Sequence, residues 1–209
     1  MKLSVLIPTH NRPKLFTRCL TSVLDTLDGL EFEVIVNNDS NDITEIKDTR
    51  VKYFYNKFSN LTEIYMFLAE HSNSDFVYYL EDDDVMLKSF RKVLDLLKDK
   101  TICGSYFHVN KLLKFRQRVI PFSSESPEFQ LSQVVFKRKD LNFSNLKDKC
   151  NGDCIFNDYY LFKNSVKDFD VASFCFYRQT TDGRDNISFS EFTNLEKCKR
   201  CAFKVPECL

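Results

Sequence analysis

The first hundred residues carry short apolar runs separated by amphipathic or polar segments. Ser4-Val5-Leu6-Ile7 stops at Pro8, and so short a run before a breaker predicts a buried strand. From Pro13 onward, Leu15, Phe16, Cys19, Leu20, Val23, Leu24 and Leu27 recur at three- and four-residue spacing. That spacing predicts an amphipathic helix ending near Gly29, with Pro13 suited to its first turn. Phe32 to Val36 reads as a second strand, and the polar cluster Asn37 to Asp42 as a loop leaving its carboxyl end. Val51 to Tyr55 reads as a third strand. Asn60, with Glu63 three residues on, makes a capping-box pattern before a helix carrying Leu61, Ile64, Tyr65, Leu68 and Ala69 on one side. Phe76 to Leu80 closes the series as a fourth strand.

Strand, helix, strand, loop, strand, helix, strand predicts an α/β protein: a mainly parallel sheet with flanking helices in a single domain. Ligands of such sheets sit beyond the carboxyl ends of the strands. The polar clusters at Thr9 to Arg12, Asn37 to Asp42 and Glu81 to Asp84 all lie at those ends. Downstream, Ser89 to Leu97 suggests a helix, and Ile102 to Val109, Leu131 to Phe136 and Ala172 to Tyr177 suggest strands. No internal repeat is visible.

Composition narrows the class without changing this order. The 209 residues fit one compact domain, and 43% hydrophobic with 29% charged residues suffices for a real core. With only 4 Gly against 21 Phe and 9 Tyr, solenoid and collagen classes fall away and the core should be aromatic. Lys plus Arg and Asp plus Glu number 30 each, so no global field attracts a polyanion. No stretch approaches the roughly 20 apolar residues of a membrane span, and the opening run is too short for a signal peptide. The expectation is a cytoplasmic protein whose 8 cysteines are reduced thiols or metal ligands.

Leu80-Glu81-Asp82-Asp83-Asp84 sets four carboxylates directly after an apolar strand, where their repulsion calls for a cation or hydrogen-bond donors. Hard oxygen ligands select Mg²⁺ or Mn²⁺, ions that also bind diphosphates. The alternative is a solvated acidic turn capping the helix from Ser89.

Taken in order, SVLIPTHNRP, VIVNNDSND and YYLEDDDVM resemble the opening half of the family-two glycosyltransferases. These enzymes have the GT-A fold and move a sugar from a nucleotide-diphosphate donor. The likeness covers residues 1 to 100 well and the remainder faintly. It implies a nucleotide-sugar-binding half over 1–100, an acceptor-binding half over 101–195 and a cysteine-containing tail over 196–209. Pro8, Thr9, His10 and Arg12 stand where the family's first loop meets the nucleotide. Asn37-Asn38-Asp39-Ser40 occupies the place of an Asp-Asp-Gly-Ser pattern that resembles a clamp on base and ribose. Both leading acids are amides here, and an amide can both donate to and accept from a uracil-like edge. A uridine diphosphate sugar is the implied donor. Glu81-Asp82-Asp83 stands for the Asp-x-Asp signature: Asp83 matches the metal-contacting member, with Asp84 following, while Glu81 and Asp82 face ribose or metal.

An inverting transfer also needs a base for the attacking hydroxyl. The family's late Glu-Asp pair resembles Asn151-Gly152-Asp153-Cys154, which makes Asp153 the candidate and Asp158 its rival, with retention also open. A basic stretch, Lys111, Lys114, Arg116 and Arg118, is interleaved with apolar residues, and Lys137-Arg138-Lys139 adds three cations. Such patches can track phosphates, so the acceptor is a carbohydrate or, as the alternative, a modified base of DNA; the other reading is ordinary solvated charge. Cys198-x-x-Cys201 and Cys208, with Cys150 and Cys154, have spacing suited to a structural Zn²⁺; Cys19, Cys103 and Cys175 read as buried hydrophobes. A nucleotidyl transferase would need a glycine-rich first loop, which His10-Asn11-Arg12-Pro13 is not. The remaining class is a non-catalytic binder of nucleotide sugar or nucleic acid, favoured by the amides at 37 and 38 and by Cys154.

Overall fold

A computed structural model describes residues 2–40, 43, 45–59, 61–110, 116–124, 130–144, 146 and 156–181. The chain runs β1 (Leu3–Thr9), α1 (Pro13–Thr26), β2 (Phe32–Asn38), β3 (Val51–Phe54), α2 (Leu61–Glu70), β4 (Phe76–Tyr79) and β5 (Val85–Met86). It continues with a short α3 (Val93–Leu96), β6 (Thr101–Asn110), β7 (Arg116–Ile120), β8 (Val134–Lys137), α4 (Phe156–Ser165) and β9 (Phe169–Thr181). One sheet results, in the order β3-β2-β1-β4-β8-β6-β9-β5, with β7 beside β6.

The sheet has a parallel half and a mixed half. β3, β2, β1 and β4 are all parallel, as the alternating elements predict. β8 is antiparallel to both β4 and β6, while β9 runs parallel to β6. β6 and β9 therefore point the same way as β4, and their carboxyl ends share one edge. β1 is buried along its whole length because α1 covers one face with Phe16, Cys19, Leu20 and Val23 and α2 covers the other with Tyr65 and Leu68. Parallel strands covered on both sides read as continuous apolar runs. α1 begins on Pro13 and ends where Leu27 N–H donates to Val23 O at 2.9 Å; Gly29, at φ 72, takes the left-handed turn that follows.

Several boundaries differ from the sequence expectation. β2 runs on through Asn37 and Asn38, which were expected in a loop, because they stay in register with Pro8 and Thr9. The helix expected over Ser89 to Leu97 is a 3₁₀ turn over Lys88–Lys92 followed by the four residues of α3. Leu131–Gln133 is a 3₁₀ turn, and only Val134–Lys137 forms the strand expected there.

β4 and β5 are joined by the acidic turn, yet β8, β6 and β9 lie between them in the sheet. In a flat sheet four strand spacings come to about 19 Å. Six residue steps, Tyr79 to Val85, reach at most about 20 Å fully extended. The linker is not extended, since Asp84 N–H donates to Glu81 O at 3.1 Å. The second half of the sheet must curl back, which brings β9 beside the residue that follows the acidic turn: Val85 pairs with Arg178.

Candidate active site

Asp82 is clamped from the first loop. Thr9 Oγ1 donates to Asp82 Oδ2 at 2.8 Å, Arg12 Nη1 donates to Oδ1 at 2.9 Å, and the backbone N–H of His10 donates to the same carboxylate. Arg12 precedes α1 with its guanidinium turned to these acids, its Nη1 also lying 3.4 Å from Asp83 Oδ2. One turn and a half along the helix, Arg18 Nη2 donates to the Asp83 carbonyl at 2.5 Å, and Cys19 Sγ donates to the Glu81 carbonyl at 3.3 Å. α1 thus fixes the backbone of the acidic turn, and the loop before it fixes one side chain.

The other face holds Glu81. Tyr65 of α2 donates its hydroxyl to Glu81 Oε1 at 2.7 Å. Asp158, in the first turn of α4, accepts from the backbone N–H of Leu131 at 3.2 Å. Its charge is close enough to raise Glu81 and Tyr65. Burial, then repulsion from Asp158 and Asp83, pushes Glu81 up to about 8 against the Tyr65 hydrogen bond. Burial raises Asp158 to about 7 and Asp82 to about 6, the latter against the pull of Arg12. Asp84 is wholly buried, neither of its carboxyl oxygens has a hydrogen-bond partner, and burial pushes it well above the carboxylate range.

The residues expected to meet a nucleotide gather at the same edge. Pro8 and Thr9 end β1 beside Asn37 and Asn38. The Asn37 carboxamide is engaged with the backbone of Asn56, donating to its carbonyl at 3.1 Å and accepting from its N–H at 3.2 Å. Asn38 Oδ1 accepts from the backbone and hydroxyl of Ser40, at 3.1 and 2.7 Å. The two amides thus use polar capacity to hold the strand end, where an acid would have no donor for the Asn56 carbonyl. The exposed His10 ring contacts the Asp39 carboxylate, and Asn11, at φ 53, donates its N–H to Ser40 Oγ at 2.8 Å. Loop one and the end of β2 are therefore laced together.

Sequence reasoning did not pick out Tyr65 or Arg18. Tyr65 sits on the apolar stripe of α2, where only its hydroxyl marks it, and Arg18 falls on an otherwise ordinary amphipathic helix. Asp153, Cys150, Cys154, Cys198, Cys201 and Cys208 lie outside the described residues, as do Lys111 and Lys114. The two basic stretches separate. Lys137 and Arg138 donate to the carbonyls of Asp99 and Ser74 at 2.6 and 2.7 Å, and Lys137 pairs with Phe76 at the amino end of β4, opposite the acidic turn. Arg118 lies on β7, against the carboxyl-end half of β6.

The sequence profile of the family described as glycosyl transferase family 2 matches residues 4–163. The chain belongs to that family. No curated protein matches it. Among solved structures it resembles S. aureus TarS 1–349, with TM-score 0.61 and 17% identity over 86% of this chain. The complex of TarS 1–349 with UDP-GlcNAc gives TM-score 0.60 and 19% identity over 91% of the chain. The complex with UDP gives 0.61 and 18% over 87%. The chain spans 60–61% of the length of these structures. The likeness establishes the GT-A fold for this family member. Among the described residues no helix is long and apolar enough to cross a membrane.

Members of the family commonly use a divalent ion, and the residues here can be tested against one. No group of three His, Cys, Asp or Glu among the described residues is disposed to hold a metal by itself. Mg²⁺-type ions need no such cage, because one or two carboxylates suffice when substrate phosphates complete the shell. Asp83, whose side chain keeps 16% of its exposure, fits that part, while Asp82 is consumed by its three donors and Asp84 is enclosed.

Proposed function

We propose that the protein transfers a sugar from a nucleoside diphosphate donor, a uridine diphosphate sugar, to a hydroxyl of a carbohydrate acceptor. The observation that carries this reading is the acidic turn at the carboxyl end of β4. Asp82 is clamped by loop one, Asp83 beside it shares the Arg12 guanidinium at 3.4 Å and keeps part of its exposure, and a separate carboxylate, Asp158, lies close enough to raise Glu81 from α4. The TarS complexes with UDP-GlcNAc and UDP support the donor class.

Asp83 would hold Mn²⁺ or Mg²⁺, which when bound with the diphosphate stabilises the negative charge of the departing group. Thr9, His10 and Arg12 keep Asp82 and the turn in place, and Asn37, Asn38 and Asp39 border the nucleotide at the ends of β1 and β2. Asp158 takes the proton of the attacking hydroxyl. Its elevation to about 7 suits it, since a base works best with a pKa near the working pH. Asp153 lies only a few residues away in the chain, and Asp158 is preferred because of its place beside Glu81.

The test is turnover with a panel of nucleotide sugars, with and without Mn²⁺, read as release of nucleoside diphosphate. Metal-dependent release from one base class is expected. Absence of release from every donor would overturn the reading.

A further inference from the structure

The mixed half of the sheet builds a polar track that leads away from Asp158. The Leu131 N–H that holds Asp158 is followed backward by Gln130, whose Oε1 accepts from Gln179 Nε2 at 3.2 Å. Gln179 of β9 pairs with His108 of β6, and His108 pairs with Arg118 of β7. Residues directly opposite one another on neighbouring strands project to the same face. Gln179, His108 and Arg118 therefore form one row across three strands.

The row before it confirms the face: Tyr177, Tyr106 and Ile120 are paired in the same way, and the rings of Tyr106 and Tyr177 stack at 5.1 Å with 12° between planes. His108 lies on that side too, its ring 6.4 Å from that of Tyr106. Because β6 and β9 run parallel to β4, this row stands toward the same edge as the acidic turn. It ends at Arg118, an exposed residue. Arg118 lies two strand spacings, roughly 10 Å, from Gln179.

We infer that the acceptor carries an anionic group, a phosphate or a carboxylate, bound by Arg118, with the stretch between that group and the reacting hydroxyl laid along Gln179 and His108. This deepens, and rests on, the glycosyltransferase reading given above. A guanidinium offers a planar fork that matches either anion in a bidentate fashion. The spacing sets the length of the acceptor. With roughly 10 Å between Gln179 and Arg118, the anion belongs on a neighbouring unit of the acceptor, not on the ring that is glycosylated. Tyr106 and Tyr177, buried beneath the row, hold its strands in place.

The experiment uses the full chain with a turned-over donor and three disaccharide acceptors sharing one skeleton: neutral, with a phosphate on the second unit, and with a uronic acid in the second unit. Wild type and Arg118→Gln are compared, and hydrolysis of donor without acceptor is the internal control. At least a tenfold lower KM is expected for a charged acceptor than for the neutral one, and Arg118→Gln should abolish that preference while leaving donor hydrolysis and kcat with the neutral acceptor unchanged. Which charged acceptor gains distinguishes phosphate from carboxylate. Equal KM values for all three, or a preference that survives Arg118→Gln, would overturn the inference and leave the glycosyltransferase reading intact. Loss of all donor turnover in wild type would overturn both.

Discussion

Arg12 Nη1 reaches Asp82 Oδ1 at 2.9 Å while its side chain keeps only 11% of its exposure and that of Asp82 only 4%. A nearly dry ion pair of this kind is a weak source of net stability, but removing one partner strands the other. Arg12→Met should cost about 3 kcal/mol or more, the range for a buried charge left unpaired. Arg12→Met combined with Asp82→Asn should recover much of the loss. Urea denaturation of the two singles and the double checks this, and strict additivity would mean that the pair does not couple.

Protons held by the acidic site give stability a definite slope with pH. Glu81, Asp158 and Asp82 ionise near about 8, 7 and 6 in the fold, above their ordinary values of 4.5, 3.8 and 3.8. Between pH 4 and pH 8 the folded chain therefore binds protons that the unfolded chain has released, and stability falls as pH rises. Glu33 works in the opposite sense. Despite its burial, donors from Lys52, Ser4 and Asn73 hold it below the ordinary value, so its contribution is lost only as pH falls below 4.5. The melting temperature should thus be higher at pH 5 than at pH 8.5 in metal-free buffer. Asp158→Asn should shrink the difference by removing one of these titrations. Calorimetry across that range is the measurement.

The parallel half was legible because its strands are covered by α1 and α2 and therefore appear as uninterrupted apolar runs closed by polar clusters. Legibility failed where polar residues build structure. Asn37 and Asn38 look like a loop in the sequence, yet the Asn37 amide substitutes for a backbone partner of Asn56 and prolongs β2. β5 is two residues long and leaves no periodic trace, although its pairing with β9 is what curls the sheet. At the site, the acids and the loop opposite them were visible because charge directly after an apolar strand is unusual. Tyr65 was not, since an aromatic on a helix stripe reads as core whether or not its hydroxyl meets a carboxylate.

Gly104 shows how tightly the mixed half is packed. A Cβ placed there would lie 2.3 to 2.6 Å from three ring atoms of Phe176, a side chain with no exposure that also touches Tyr78 and Phe90. The ring cannot swing into solvent. Gly104→Ala should destabilise the protein by about 1–3 kcal/mol, the usual penalty for overpacking a dense core. Chemical denaturation reads the loss, and Phe176→Leu in the same chain should relieve part of it by vacating the space the new methyl needs.

The assignment of separate tasks to Asp83 and Asp158 can be broken at either residue, and the two failures differ. Asp83 is partly exposed and Arg12 retains Asp82 without it, and losing its pairing with Arg12 is offset by relief of its repulsion of Glu81, Asp82 and Asp84, so Asp83→Asn should leave the protein folded. Its effect belongs to the donor complex: the Mn²⁺-dependent rise in melting temperature with uridine diphosphate should vanish, since only a ligand bound to the native state raises it. Asp158→Asn should keep that rise, because in the proposed reading Asp158 serves the acceptor and not the donor. It should instead lower sugar transfer by a factor of about 10² to 10⁴, the span attributed to a positioned general base. A metal-dependent shift that disappears in Asp158→Asn and persists in Asp83→Asn would reverse the two roles.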